Sequence, residues 1–143
     1  MGCDIYMHTE QFHEGRWIHV GPGPYDDREY DLFWLLGGIQ RRRSDVQPIG
    51  PHRGIPEDAS PEVRADHDSW SADAHSASWL SLAELQRFID ARPEQREESG
   101  FWTDADALRR CALHEDCRAH AELATTCLNG RLEHVRIVFW FDN

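Results

Sequence analysis

The sequence contains no lysine, because all 15 of its basic residues are arginine. This absence excludes a Schiff-base lysine and the lysine of a phosphate-binding P-loop. Any phosphate group must then be held by arginine, by backbone N–H groups or by a metal ion. The formal net charge of −11 argues against nonspecific binding to duplex DNA or to an anionic membrane.

Long apolar runs are missing as well. No segment approaches the roughly 20 apolar residues of a membrane-spanning helix, and the N-terminus lacks the charged and apolar regions of a signal peptide. We therefore expect a cytoplasmic protein with no membrane partner, in which the four cysteines are free thiols. The 143 residues are within the usual size of one domain, and we expect a single domain over 1–143.

The two ends of the chain carry the patterns of β-strands. Polar and apolar residues alternate over 3–12, and a turn containing Gly15 predicts a hairpin with a second strand over 16–20. A β-branched and aromatic run predicts a further strand over 132–141. The predicted fold class is α+β: a small antiparallel sheet formed by the N-terminal hairpin and the C-terminal strand, covered by several helices.

Helix signals fill the middle of the chain. Ser60 followed by Pro61 predicts a helix that begins there and ends near Trp70. A capping box formed by Ser81 and Glu84 predicts a helix to about Ala91. Further helices are predicted from Asp26 or Asp27 to the Gly37-Gly38 pair and over 104–125, whereas residues 71–79 are polar and predict an irregular loop.

The first strand carries a row of titratable side chains. Successive residues of a strand point to opposite faces, so Asp4, Tyr6, His8 and Glu10 share one face. Carboxylates and an imidazole on one face could bind a divalent metal or act as acid and base. The alternative is the solvent-exposed face of an edge strand, where polar residues are ordinary. Burial of that face beneath a helix would favour the functional interpretation.

A second group of candidate residues lies in the polar segment before the 81–91 helix: Asp73, His75, Ser76, Ser78 and Trp79. Hydroxyls and an imidazole can bind phosphate, and a tryptophan can stack on a base. A serine nucleophile is weakly supported, because no glycines of a nucleophile elbow surround these serines. The alternative is a hydrogen-bonded loop with its tryptophan in the core.

Arginine and tryptophan candidates complete the set. Arg53 lies in a Pro- and Gly-containing loop over 51–56, where it could hold an anion or form a structural ion pair. Arg136 and Trp140 share one face of the C-terminal strand with Asp142. They could line the same site as the first strand if the two strands pair.

Several segments of the sequence resemble a family of small, largely uncharacterised proteins that is common in bacteriophage and prophage genomes. The resemblance rests on residues 1–5 with His8 and Glu10, and on the segments 28–33, 51–56, 73–80 and 139–143. It leaves out residues 94–130, which are expected to be a family-variable helical segment. The family usually has histidine where this chain has Tyr6, and tyrosine is a poorer metal ligand at neutral pH.

The resemblance implies a phage-encoded accessory protein that acts in the host cell cytoplasm. Proteins of this kind often counteract host defence systems, so the resemblance also suggests an anti-defence role. Our leading hypothesis is that it binds and sequesters a small nucleotide-type anion. Phosphate would be held by Arg53 and Arg136, stacking would come from Trp79 and Trp140, and hydrogen bonds would come from Asp4, Tyr6, His8, Glu10, Asp73, His75, Ser76 and Ser78.

Two further hypotheses remain open. A phosphodiester-type hydrolase would use His8 and His75 as its acid–base pair, with Asp4 and Glu10 orienting them or holding a divalent metal. An acidic protein-binding inhibitor would instead use clustered surface carboxylates. The sequence specifies no cofactor, and it is compatible with a homo-oligomer.

Overall fold

The computed structural model describes residues 2–22, 30–39, 48–90 and 132–142. The described chain forms a four-stranded antiparallel sheet and three α-helices, which confirms the predicted α+β class. In chain order the elements are β1 (Asp4–His13), β2 (Arg16–Pro22), α1 (Tyr30–Gly37), α2 (Pro61–Trp70), β3 (His75–Ser81), α3 (Leu82–Asp90) and β4 (Val135–Asp142). The strand order across the sheet is β2-β1-β4-β3.

The predicted N-terminal hairpin is present. Its two loop residues have positive φ angles, 50° for Glu14 and 81° for Gly15, as the tight turns that suit twisted hairpins require. This turn places His13 opposite Arg16. On its other edge β1 pairs with β4, so the two ends of the chain form the centre of the sheet.

The helix ends follow the capping signals of the sequence. The Ser60 hydroxyl accepts a hydrogen bond from the Val63 amide at the start of α2. At α3 the Ser81 and Glu84 side chains each accept a bond from the other residue's amide, over 3.1 and 3.0 Å. Both caps satisfy amides that the first helical turn leaves without a partner.

The prediction of an irregular loop over 71–79 was wrong. Residues Ser71–Asp73 form a 3₁₀ turn, and His75–Ser81 is the edge strand β3, paired with β4. The register shifts between His75 and Ser78, where Ser76 has a φ of 55°. Small serines and alanines and a bulge hide the alternation of a strand, so its pairing with β4 decides the conformation.

Helices cover both faces of the sheet. One face packs against apolar residues of α1 and α3, including Phe33, Leu35 and Leu85. The other face, which we call the α2-covered face, carries Asp4, Tyr6, His8 and Glu10 of β1 and lies beneath α2. Its apolar centre is Val63, Val138 and Trp140, all completely buried.

Among the described residues, none of the helices has the length and apolar character needed to cross a bilayer. The helix predicted over 104–125, the segment 94–130 and the predicted cap at Asp26 or Asp27 lie outside the described residues.

Candidate functional site

The α2-covered face brings together side chains from both ends of the chain. In the register of β1 and β4, Asp4 lies opposite Asp142, Tyr6 opposite Trp140, and Glu10 opposite Arg136. The row on β1 is therefore beneath a helix and not on the open side of an edge strand. A titratable group enclosed in this way needs a partner, because burial penalises its charged form.

His8 lies at the centre of a row of three polar side chains from three elements. Its Nε2 is 2.6 Å from Oδ2 of Asp66 on α2, and its Nδ1 is 2.9 Å from Nε2 of His19 on β2. The side chain of His8 is 13% exposed and that of Asp66 is 42% exposed. The centre of the row at His8 is thus largely enclosed, and the row reaches solvent at the Asp66 end.

The pKa of His19 is lowered from its ordinary value, first by burial and then by the neighbouring His8. The nearby carboxylates of Glu62 and Glu10 and a hydrogen bond to the Gly21 backbone act in the opposite direction but are weaker. The imidazole of His19 is consequently neutral at pH 7. A neutral imidazole has one ring nitrogen with a free lone pair, which can accept a proton or bind a metal.

Tyr6 and Asp142 form a separate corner of the same face. The Tyr6 hydroxyl donates to Oδ2 of Asp142 over 3.0 Å, and the Asp4 amide donates to Oδ1 over 3.2 Å. Burial, followed by the hydrogen bond to Asp142, raises the pKa of Tyr6 to about 12. Tyr6 is therefore a neutral hydrogen-bond donor and not a metal-binding phenolate.

Trp140 is an internal residue and not an open stacking surface. Its side chain is 0% exposed, with His8 stacked at 5.4 Å between ring centroids and His67 of α2 edge-on at 5.1 Å. The expectation that Trp140 stacks on a ligand is contradicted in this conformation, because neither ring face is open. Its role here is to support the His8 ring.

Glu10 and Arg136 form a buried ion pair at the other end of the α2-covered face. Nε of Arg136 donates to Oε1 of Glu10 over 2.7 Å, and the Ser60 amide donates to Oε2 over 2.6 Å. The guanidinium also lies 3.9 Å from the centre of the Trp17 ring. Both charged groups already have partners, so neither is poised for the phosphate binding that we expected of Arg136.

Arg53 is likewise paired. Its guanidinium forms a two-pronged ion pair with Glu84 and lies 4.5 Å from the ring centre of Trp79. The hydrogen bond from Arg53 is the main reason that the pKa of Glu84 is lowered. This is the structural ion pair that the sequence left open as the alternative to an anion site.

The remaining predicted residues lie away from His8. His75 is opposite Phe141 and stacks on that ring at 6.3 Å, on the face that packs against α1 and α3. Its Nδ1 contacts the Ser76 hydroxyl at 3.0 Å, while Ser78 accepts a bond from the Arg53 amide. His8 and His75 thus occupy opposite faces of the sheet, which contradicts a shared acid–base pair. Asp73 is exposed in the 3₁₀ turn before β3.

Two residues of the row, His19 and Asp66, were not singled out by sequence reasoning. A signal for His19 was present, because a two-residue turn after His13 pairs Glu10 with His19. No equivalent signal exists for Asp66, since the sequence of α2 does not say which of its polar residues faces the sheet.

Within residues 2–22, 30–39, 48–90 and 132–142, no group of three or more His, Cys, Asp or Glu side chains is already placed to hold a metal ion. His8 directs different ring nitrogens to His19 and to Asp66, so the three groups form a row and do not surround one point.

Comparisons with protein-family models, with curated proteins and with solved structures found no match to this chain.

Proposed function

We propose that the protein binds a small nucleotide-type anion at the part of the α2-covered face where His8, His19 and Asp66 meet. The ligand class comes from the resemblance to bacteriophage accessory proteins, and sequestration of a signalling nucleotide would be its role. The observation that carries the location is the contact between His8 and His19, at 2.9 Å, in a row that reaches solvent.

The two arginines that the sequence predicts as phosphate ligands do not indicate a different binding site. Arg53 is paired with Glu84, and Arg136 with Glu10. An anion placed beside either guanidinium would have to compete with a carboxylate that is already in contact. Imidazoles bind phosphate oxygens either by donating an N–H group or by holding a cation that contacts the phosphate, and two imidazoles lie side by side here.

The test uses three variants and a panel of linear and cyclic nucleotides, with retention measured by native mass spectrometry. We expect His8→Asn and His19→Gln to weaken binding by about tenfold or more, because each removes an imidazole of the proposed site. His75→Ala is the matched control on the opposite face, and it is expected to bind like the wild type. Equal loss in all three variants, or no retention by the wild type, contradicts the proposal.

Hydrolysis of the bound nucleotide is the second candidate, and the contact between Asp66 and His8 favours it. A carboxylate that accepts from one imidazole nitrogen fixes the ring orientation and stabilises the imidazolium form. The acid–base residues would then be His8 and His19, in place of His8 and His75.

Denaturing the complex and identifying the released molecule separates the two candidates. Recovery of intact nucleotide favours sequestration, whereas recovery of a cleaved product favours hydrolysis. For an enzyme we expect Asp66→Asn to lower turnover by about a hundredfold while changing binding little. For a binding protein the same change alters affinity alone.

A further inference from the structure

His8 has a carboxylate acceptor on the side of its ring that faces away from His19. Nε2 of His8 faces Oδ2 of Asp66 at 2.6 Å. This acceptor draws the single N–H of a neutral His8 imidazole to its own side of the ring. The lone pair of His8 is then left on Nδ1, the nitrogen that faces His19.

The inner nitrogens are Nδ1 of His8 and Nε2 of His19, and they face each other at 2.9 Å. A lone pair on Nδ1 of His8 needs a proton or a cation opposite it at this distance. The N–H of His19 can supply the proton, and a metal ion held by both nitrogens can take its place. The arrangement matches that of metal-binding histidines, which donate their outer N–H to a carboxylate or a backbone carbonyl.

We propose that His8 and His19 bind one divalent transition-metal ion between these two nitrogens, with Zn²⁺ as the ion that best fits. Two ligands at the usual Zn–N distance and tetrahedral angle lie about 3.3 Å apart, so the rings need to separate by a few tenths of an ångström. Asp66 keeps its present contact and holds the His8 ring in the required tautomer.

Glu62 is the third ligand in this proposal. It lies on α2 one turn before Asp66, and residues at this spacing share a helix face. Its side chain is exposed. A rotation of this exposed side chain completes a set of two histidines and one glutamate, which leaves a fourth position for water or substrate.

A metal ion also explains how an acidic face could bind an anion. The ion would offset the charges of Glu62 and Asp66 and offer its open position to a phosphate oxygen. This role as a cofactor rests on the proposed function, but binding of the metal itself does not.

The experiment is a calorimetric titration of the chelator-treated protein with Zn²⁺ alone, followed by absorption spectra with Co²⁺. We expect one Zn²⁺ per chain and the visible bands of tetrahedral cobalt. His8→Asn and His19→Gln keep a polar atom near the inner nitrogen but are expected to weaken binding about a hundredfold or more. Asp66→Asn is expected to weaken it about 10- to 100-fold, because it alters the hydrogen bond behind a ligand.

His13→Gln is the control, since His13 is a histidine of the same strand whose side chain is 34% exposed beside Glu14. It should leave the affinity for Zn²⁺ unchanged, and circular dichroism establishes that each variant is folded. No binding by the wild type, or equal weakening by His13→Gln, overturns the proposal. Glu62→Gln tests the third ligand and should remove the tetrahedral cobalt bands.

Nucleotide retention measured with a chelator present distinguishes the proposed nucleotide binding from the proposed metal site. Zinc binding with metal-independent nucleotide retention supports the metal site and overturns its role as a cofactor. Nucleotide retention by a protein that binds no zinc overturns the metal site alone, whereas zinc binding without nucleotide retention overturns the proposed function alone.

Discussion

Glu10 and Arg136 face each other in the interior, with Nε of Arg136 donating to Oε1 of Glu10 over 2.7 Å and side chains that are 0% and 3% exposed. The pair joins the two central strands. It also reaches the start of α2, because the Ser60 amide donates to the other oxygen of Glu10. The position of α2, and with it that of Asp66 beside His8, therefore depends on this ion pair.

We expect Glu10→Ala to lower the free energy of unfolding by about 3–5 kcal/mol, because it leaves the buried guanidinium without its main counter-charge. Chemical denaturation measures the loss. Asp58→Asn is the matched control: Asp58 also accepts from Arg136, but its side chain is 66% exposed, so we expect a loss of less than about 1 kcal/mol. Similar losses in the two variants would show that burial does not set the strength of this pair.

The ion pair between Arg53 and Glu84 predicts a pH dependence of stability. The pKa of Glu84 is lowered in the folded protein, first by the hydrogen bond from Arg53. Its contribution is therefore present above the ordinary glutamate pKa and is lost as the pH falls through the folded value. Glu84→Gln preserves the capping box, and we expect it to lower stability by about 1 kcal/mol at pH 7.

That difference between Glu84→Gln and the wild type should shrink once the pH falls below the ordinary glutamate pKa, and it should disappear below the lowered pKa of the folded protein. Thermal melts of both proteins across this range measure it. Asp90→Asn is a control on the same helix, where the exposed Asp90 accepts from Gln86, and it should change stability by less than about 0.5 kcal/mol at any pH. A difference that persists at low pH would show that Arg53 does not act on Glu84 through its charge.

Much of the fold could be predicted from the sequence because the decisive signals are local. Alternation over 3–12, the turn at Gly15 and the capping box at Ser81 each specify a conformation within a few residues. The shared face of Asp4, Tyr6 and His8 follows from the same alternation. The burial of that face beneath α2 does not follow from the alternation, because it depends on where α2 packs.

The site was harder to predict, since its geometry depends on tertiary contacts. His8 meets Asp66 across a long sequence separation, through the packing of a helix on the sheet. His75 lies on the other face because β3 pairs with β4 through a bulge near Ser76. One inserted residue changes the face to which the preceding side chains point, and composition does not reveal it.

Tyr6 offers a spectroscopic test of the α2-covered face. The chain has three tyrosines, and the pKa of Tyr6 is raised to about 12 from the ordinary value of 10.0. Its neutral form is favoured by folding, so this contribution is complete below pH 10 and is lost as the pH rises toward 12. Phenolate absorbance measured against pH should show one tyrosine that titrates last.

Asp142→Asn identifies the cause of this shift. It removes the charge that accepts from the Tyr6 hydroxyl, but burial is the larger cause and remains. We therefore expect the late titration to move only part of the way back. The Tyr6 ring lies 4.2 Å from the Trp70 ring and 6.4 Å from the Trp140 ring, measured between centroids. A return to the ordinary tyrosine pKa would show that these rings do not enclose it, whereas Tyr6→Phe should remove the late step entirely.

Replacing Gly37 by alanine has two effects of opposite sign on the free energy of unfolding, a gain in helix propensity and a steric overlap. Replacing a helical glycine by alanine usually stabilises a helix by about 1 kcal/mol. At this position a Cβ atom would lie 2.5 Å from Cε2 of Phe141, whose ring is fully buried and cannot move aside freely. We expect the steric overlap to outweigh the gain in helix propensity, with Gly37→Ala lowering the free energy of unfolding by about 1–3 kcal/mol.

Gly21→Ala is the matched control in β2, because nothing lies within 4 Å of its Cβ position, and it should be neutral or slightly stabilising. Denaturation curves of the two variants decide the point: a stabilised Gly37→Ala protein would mean that α1 does not pack against β4 at Phe141.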